Sequence, residues 1–534
     1  MDYSTGGAGR IFIEAALIQR TMKPSVHNPR QAPVGDDLPP HLERLLAGTG
    51  VSPADTGGTI TFEGSDPIFP SAVRLASVFC LSAMAAAVGA AAIWRMRTGL
   101  GQNLFIDLRK AAHGIDPELT FGPTINGWPY TNPIGNMHPF GVFPFETKDG
   151  RWVYPSGVYP AQQFAWTHFF NCGADHRSIG AAIAKWNAVE LEDAANVAGH
   201  TLCIARTAEE WAHHPQGKYL AKEPVIAVRK IAESEPQPFG PAARPLSDIR
   251  VLSFTHAIAG PVVGRTLAEQ GAQVLQINRP DEFEHPWVYD DANVGFRSAF
   301  LDLRYPESND RGHALAKQAD VFVDNYRGRK LAGFGFSPEQ LAELHPGIIV
   351  VSISCYGWGG PWAERGGFDM LGTAASGLAM LEGVDGKPSM PPTALINDYV
   401  TGYMGAAGAT AALIRRAKEG GSYHVTVSLA RNAMWYQSLG LIPPEERSFA
   451  ENPFRYLATD PGSLKPPTPK ELLALQAALK QRLLEPDLIT RDTPLGQVRR
   501  LAPAVTYSAT PALWNDPILV PMGASTPTWR SAAA

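Results

Sequence analysis

Asp369 stands in Arg365-Gly366-Gly367-Phe368-Asp369-Met370-Leu371, with the small-residue run Gly372-Thr373-Ala374-Ala375-Ser376-Gly377-Leu378 behind it. Glycines let backbone and ligand approach closely. A desolvated Asp with few charged neighbours can act as a covalent nucleophile. The same residues also suit a plain helix N-cap, whose carboxylate accepts from the first free N–H groups. Four guanidinium groups, Arg279, Arg304, Arg327 and Arg329, lie near predicted strand ends or the loops after them. There they could hold a nucleotide's phosphates or simply face solvent. His256 suits either a base or a hydrogen-bonded structural imidazole. His138, His213 and His214 lack a matching carboxylate pattern, so no metal is assigned.

The elements that must position these groups alternate. Residues 249–254 read as an apolar strand, and 260–270 as a helix opening on Pro261, a favoured first helical position. Strands follow at 272–277, 298–303, 321–324 and 348–353, with helices at 312–319 and 338–344. This rhythm predicts an α/β fold with a doubly wound, mostly parallel, Rossmann-like sheet. The first strand–loop–helix, Val251 through Ala257, Ile258, Ala259, Gly260 and Pro261, is not GxGxxG. One glycine followed by proline argues against a dinucleotide enzyme. The helix start still offers N–H donors to an anion or carbonyl. No GxSxG elbow or P-loop occurs.

At 534 residues the chain has length for two or more domains, and 45% hydrophobic with 18% charged residues is an ordinary globular composition. A formal net charge of −5 leaves no basic footprint for nucleic acid. The four cysteines are far apart with no CxxC, which signals neither a disulfide framework nor zinc and makes a reduced, cytoplasmic setting the default. No signal peptide is read at the N-terminus. Residues 75–94 have the length of a membrane span and no charge, but they are mostly Ala with Ser and Gly. Alanine gains little from lipid, so a buried core helix is expected and no membrane.

The segment Ser77 to Ala112 aligns without a gap on Asp398 to Ala433. Arg95 falls on Arg416, Gly99 on Gly420, Leu104 on Val425, Ile106 on Val427 and Leu108 on Leu429. Both copies read as small-residue helix, basic end, Gly turn, strand and helix, which points to an internal repeat. The expected organisation is an N-terminal arm (1–69), repeat copy 1 (70–137), a small α+β domain (138–232) and a proline-rich linker (233–247). A Rossmann-like domain holding copy 2 (248–440) and a tail returning to it (441–534) complete the chain.

In this order and spacing the residues resemble the class III CoA-transferases, the CaiB/BaiF family. The likeness runs from Asp248-Ile249-Arg250-Val251-Leu252-Ser253-Phe254-Thr255 through Ala259-Gly260-Pro261 to Leu267-Ala268-Glu269-Gln270-Gly271-Ala272. It continues in Leu301-Asp302-Leu303, Ala319-Asp320-Val321-Phe322-Val323-Asp324-Asn325-Tyr326, Leu344-His345-Pro346-Gly347 and Gly367-Phe368-Asp369. The resemblance implies that Asp369 is the catalytic Asp. It implies coenzyme A contacts at Ala257, Ile258, Arg279, Leu301, Arg304, Asn325 and Tyr326. Gly333 departs from an Arg common in the family, with Arg329 as its substitute, and Gln276-Ile277-Asn278 replaces the usual Lys-Val-Glu. Residues 138–230 resemble the family's small domain, displaced ahead of the sheet domain, as in a tandem duplication that kept one of each.

The implied chemistry moves CoA from an acyl-CoA donor to an organic carboxylate through an aspartyl mixed anhydride and an aspartyl-CoA thioester. Backbone N–H groups near Gly359-Gly360 or Gly366-Gly367 are the oxyanion candidates. CoA is a cosubstrate, with no permanently bound cofactor, no metal and no nicotinamide. The family's interlocked dimers imply a homodimer or an intrachain pseudo-dimer. Two other readings stay open: an α-methylacyl-CoA racemase-like enzyme using Asp and His, and a non-catalytic acyl-CoA-binding protein.

Overall fold

The computed structural model describes residues 37–115, 120–129, 143–393, 395–452 and 469–530. His138 and residues 139–142, where the small-domain likeness begins, lie outside the described residues. The centre is a seven-stranded sheet. Its strands are β1 (Ala227–Ala232), β2 (Arg250–Phe254), β3 (Gln273–Asn278), β4 (Phe296–Phe300), β5 (Val321–Asp324), β6 (Ile349–Ser354) and β7 (Ser422–Ser428). The spatial order is β4-β3-β2-β5-β6-β7-β1, with the first six parallel and β1 antiparallel at the edge. The six parallel strands have the strand order of the dinucleotide-binding sheet, and the order reverses between β2 and β5. Ligands in such sheets bind beyond the carboxyl ends of the strands at that reversal.

The central strands are buried on both faces, which is why Val321 to Val323 and Ile349 to Val351 read as unbroken apolar runs. β1 escaped the sequence reading, which closes the small domain at 232. Its Arg229 and Lys230 are exposed, as an edge strand allows, and that breaks the apolar run.

Helix α1 (Leu75–Thr98) is long and apolar enough to cross a bilayer, yet Leu75 through Ile93 are all buried in protein. It packs on α4 (Ile396–Glu419), and these are the helices of the two repeat copies. Both helices end on residues that the ungapped alignment pairs, Thr98 and Glu419, and begin two residues ahead of it at the same offset. Small residues let them approach. A Cβ on Gly89 would fall inside the Thr410 side chain, and on Gly402 against Val262 of α2 (Ala259–Ala268). Gly89→Val is therefore expected to destabilise the fold by about 1–3 kcal/mol through overpacking. Urea denaturation checks this, and an unchanged midpoint would mean that the helices part without cost.

The small domain carries an antiparallel sheet of Phe145–Glu146, Trp152–Ser156 and Thr201–Ile204, backed by Pro160–Phe170 and three shorter helices. It is docked on the large sheet. Gln216 donates to the carbonyls of Tyr356 (2.6 Å) and Gly359 (2.9 Å) and accepts from the Trp362 N–H (2.8 Å). Arg97, at the end of α1, donates to Pro245 O (2.9 Å) and pairs with Asp248, which pins the proline-rich segment to the body. The tail returns to the large domain: Ser525 N donates to Ser298 O (2.7 Å) and Trp529 Nε1 to Leu315 O (3.1 Å).

A second, small cavity of about 60 Å³ lies where the first repeat copy, α2 and the tail meet, lined by Arg265, Glu269, Asp291, Tyr403 and Arg500 among others. Burial pushes the Glu269 carboxyl up to about 7. A carboxyl raised in the folded state contributes stability that is full below its ordinary value near 4.5 and is lost as pH rises through about 7. Glu269→Gln is expected to flatten this dependence and gain on the parent by about 3 kcal/mol at pH 8. Unfolding free energies at pH 5 and pH 8 test it, with parallel profiles as the contrary result.

Candidate active site

A cavity of about 350 Å³ opens at the carboxyl ends of β2, β5 and β6, between the sheet and the small domain. The sheet side contributes His256, Ala257 and Ala259 after β2, Asn325 and Tyr326 after β5, and Ile353, Ser354 and Cys355 at the end of β6. The opposite wall comes from Ser156, Gln162, Trp166, His200 and Thr201 of the small domain. One chain thus supplies both walls.

The loop geometry at the strand-order reversal follows from the Asn325 side chain. Its Oδ1 accepts from His256 N (3.1 Å) and its Nδ2 donates to His256 O (2.8 Å), tying the two strand ends together. Ala257 turns its backbone into the left-handed region at φ 58°, and its N–H donates to Glu284 Oε2 (2.6 Å). A left-handed alanine is a strained position, and such positions cluster at functional sites. A Cβ at Gly260 would collide with Thr255 and Asn325, so the glycine lets α2 begin against this loop. His256 lies in the wall, with its ring 5.0 Å from the Tyr326 ring. The Tyr326 hydroxyl donates to Glu282 Oε2 (2.7 Å).

Gly366, Gly367 and Phe368 form the lip above α3 (Asp369–Ala375). Asp369 is 1% exposed and is the first residue of α3, after Phe368 at the N-cap. It does not cap its own helix. Its Oδ2 accepts from Asn397 N (2.7 Å) and Asp398 N (3.2 Å) at the start of α4, and its Oδ1 accepts from Thr373 Oγ1 (3.2 Å). The capping reading thus describes the wrong helix: Asp369 closes the N-terminus of α4. Burial first, and then the nearby Asp398 charge, raise the Asp369 carboxyl, while the three donors favour its ionised form. Asp398 is 7% exposed, lines the cavity, and is pushed up to about 7 by burial. Cys355 also lines the cavity, and burial holds its thiol well above the ordinary range, so it stays a neutral thiol.

The residues named from the sequence divide. Asn325, Tyr326 and Ala257 line the cavity, whereas Ile258 is buried behind it at the start of α2. Leu301 is a core residue whose N–H donates to Asn278 O (3.1 Å). Arg279 and Arg304 come together at the next strand ends, both paired with Asp281 (2.5 and 3.1 Å), and Arg304 also with Asp302 (2.6 Å). Arg329 donates to Trp358 O (2.7 Å) and stacks over that ring at 4.9 Å, outside the cavity lining. Gly359 and Gly360 pack on Tyr219 and Gln216 and are not in the lining, whereas Gly366 and Gly367 are. The basic side chains in the wall are Arg327, whose Nη1 donates to Gly199 O (2.8 Å), and Lys330. Lys330, Glu282 and Asp398 are site residues that the sequence reading misses. No spacing marks them, because two different loops and a helix start bring them together. Among the described residues, no group of three His, Cys, Asp or Glu side chains is placed to hold a metal.

The family described as CoA-transferase family III matches residues 246–453, which hold β2 to β7 and Asp369. The chain is similar to the acetyl-coenzyme A transferase nodX of Hypoxylon pulicicidum, at 35% identity over 198 residues covering 36% of this chain and 33% of that protein. It is 31% identical over 272 residues to an acyl-CoA transferase of Gibberella moniliformis, covering 48% of each. The succinate–glutarate CoA-transferase of Agrobacterium fabrum is 32% identical over 204 residues, which cover 35% of this chain and 51% of that one. A solved CAIB/BAIF family protein from Brucella suis matches 36% of this chain and 55% of its own, with 29% identity and a TM-score of 0.35. The matched stretches span a third to about half of the length of these curated relatives.

Proposed function

We propose that the chain, whose residues 246–453 are a CoA-transferase family III region, moves coenzyme A from an acyl-CoA donor to an organic carboxylate. The observation that carries this reading is Asp369: a buried carboxylate held by three donors beside the cavity at the strand-order reversal. Its oxygen attacks the thioester carbonyl, the C–S bond breaks, and a mixed anhydride and CoA thiolate result. The thiolate attacks the aspartyl carbonyl, releasing the donor carboxylate and leaving an aspartyl-CoA thioester. The acceptor carboxylate then attacks that thioester, and the freed thiolate takes the acceptor's acyl group, restoring Asp369. Splitting one transfer into such steps is the gain of nucleophilic catalysis. The N–H groups of Gly366 and Gly367 are the oxyanion donors in this reading, since both residues line the cavity. Arg327 and Lys330 in the wall, with Arg279 and Arg304 beyond it, are the cations offered to the CoA phosphates.

The packing of α1 on α4, the paired helices of the two repeat copies, supports an intrachain pseudo-dimer with one complete site. Four free cysteines fit a cytoplasmic setting. A second reading, α-proton exchange on an acyl-CoA, is favoured by His256 and His200 in the same cavity. The test incubates acetyl-CoA or succinyl-CoA with a panel of dicarboxylates in deuterated buffer. New acyl-CoA thioesters without α-deuterium support transfer. Deuterium at the α-carbon with no new thioester supports the second reading.

A further inference from the structure

We propose that Asp398 is a second catalytic carboxylate of this site, a protonated acid that gives its O–H to the CoA thiolate beside an ionised Asp369. The inference deepens the transfer reading and rests on it. Two carboxylates line the cavity, Asp398 and Glu282; Glu282 accepts from the Tyr326 hydroxyl (2.7 Å), while Asp369 is nearly closed to the cavity and spends its oxygens on three donors. The backbone N–H of Asp398 is one of those donors, at 3.2 Å, so the two residues are held in fixed register. The Asp398 side chain is more than nine-tenths buried and has no hydrogen-bond partner among the described residues. A buried carboxyl without donors keeps its proton, and one with three donors gives it up. Two carboxylates in one dry site share a single proton, and the donors decide which holds it.

The repeat supplies an internal control. Just ahead of copy 1, Asp66 accepts from Ala76 N (3.3 Å), Ser77 N (2.8 Å) and Ser77 Oγ (2.8 Å) at the start of α1. Ser77 is the counterpart of Asp398 in the repeat alignment, and Ala76 and Asn397 directly precede the two. A carboxylate closing the helix start is therefore a structural feature of both copies. The copy that meets the cavity adds a second carboxylate, Asp398. The copy with no residue in its lining carries Ser77 instead. The charge of Asp398 is also felt by Tyr159 from the small domain, Cys355 after β6 and Tyr436 of the helix Leu429–Ser438. Burial holds all three neutral; His200, His256, Glu282, Arg327 and Lys330 face the same cavity, and Asp369 is the carboxyl that the Asp398 charge raises directly.

In the step itself the C–S bond breaks and the sulfur takes the electron pair. The Asp398 proton is shared with that sulfur as the thiolate forms and goes back to the Asp398 carboxylate as the sulfur attacks the aspartyl carbonyl, so no proton leaves the site. The test is the pH profile of single-turnover transfer from succinyl-CoA and acetyl-CoA to glutarate, succinate and malate. Wild-type protein is expected to lose rate as pH rises through the ionisation of the pair. Asp398→Asn keeps a neutral donor that cannot ionise, so its alkaline limb should vanish at a cost of about tenfold or less. Asp398→Ala removes the donor and should slow transfer about 10²-fold. If the alanine variant fails to fold, the asparagine profile still decides. An unchanged alkaline limb in Asp398→Asn, with wild-type transfer intact, overturns the role of Asp398 alone. Wild-type protein that transfers from no donor overturns the transfer reading and this role with it.

Discussion

Asp369→Ala is expected to lower CoA transfer at least about 10³-fold while the protein stays folded. Removing a nucleophile removes every covalent step at once, and groups that act as a unit are lost together. The structural loss is smaller. The alanine leaves the N–H groups of Asn397 and Asp398 without their acceptor, the equivalent of a lost helix cap, which costs about 1 kcal/mol. Asp369→Asn separates the two effects, since its amide oxygen still accepts while its nitrogen is no nucleophile at neutral pH. Initial rates with matched thermal unfolding curves check this. Loss of activity in step with loss of folding would reduce Asp369 to a cap.

Arg206→Ala is expected to destabilise the small domain by about 3 kcal/mol, because it takes the main partner from the buried Glu192 carboxylate and leaves it Arg365 at 3.7 Å. Arg206 forks onto Glu192 at 2.8 and 2.7 Å, and the two side chains are 9% and 4% exposed. Glu192 also accepts from Ile204 N (2.8 Å), and Arg206 N donates to Ala374 O (3.1 Å) in α3. The Arg206 backbone thus joins the small domain to the helix that carries Asp369, and Arg365 of the loop before Asp369 reaches Glu192 at 3.7 Å, so disturbing the pair should lower activity as well as stability. Arg206→Ala with Glu192→Gln should recover part of the loss, since no bare charge remains. Chemical denaturation of both variants measures this. A single variant within about 1 kcal/mol of the parent would mean that water replaces the guanidinium.

The parallel sheet is legible because strands buried on both faces leave short apolar runs at regular spacing, as at Val321–Asp324, where the expected and observed ends coincide. The close crossing of the two long helices is legible because it needs small residues, as at Gly89, where a Cβ would meet the Thr410 side chain. Asp369 is legible as a reactive candidate from its glycine pair, but its partners are not. The N–H groups it accepts from lie on α4, a chain reversal away. Asp398 reads only as the first polar residue of a helix, since nothing local says that a cavity wall passes there. Arg279 and Arg304 are legible as cations at strand ends. The pairing of Arg304 with Asp281 depends on β3 and β4 being neighbours, which residue types do not reveal. Gly359 and Gly360 look like donors in the sequence, and only the docked small domain shows that Tyr219 and Gln216 occupy the space beside them.

The central claim is that Asp369 becomes covalently acylated. The direct measurement incubates the full chain with a series of acyl-CoAs, adds hydroxylamine, and maps hydroxamate by peptide mass spectrometry. The account predicts hydroxamate on Asp369 with at least one donor, and none in Asp369→Ala. Turnover of an acyl-CoA with an unmodified Asp369 peptide, or hydroxamate on another carboxylate such as Asp398, would contradict it.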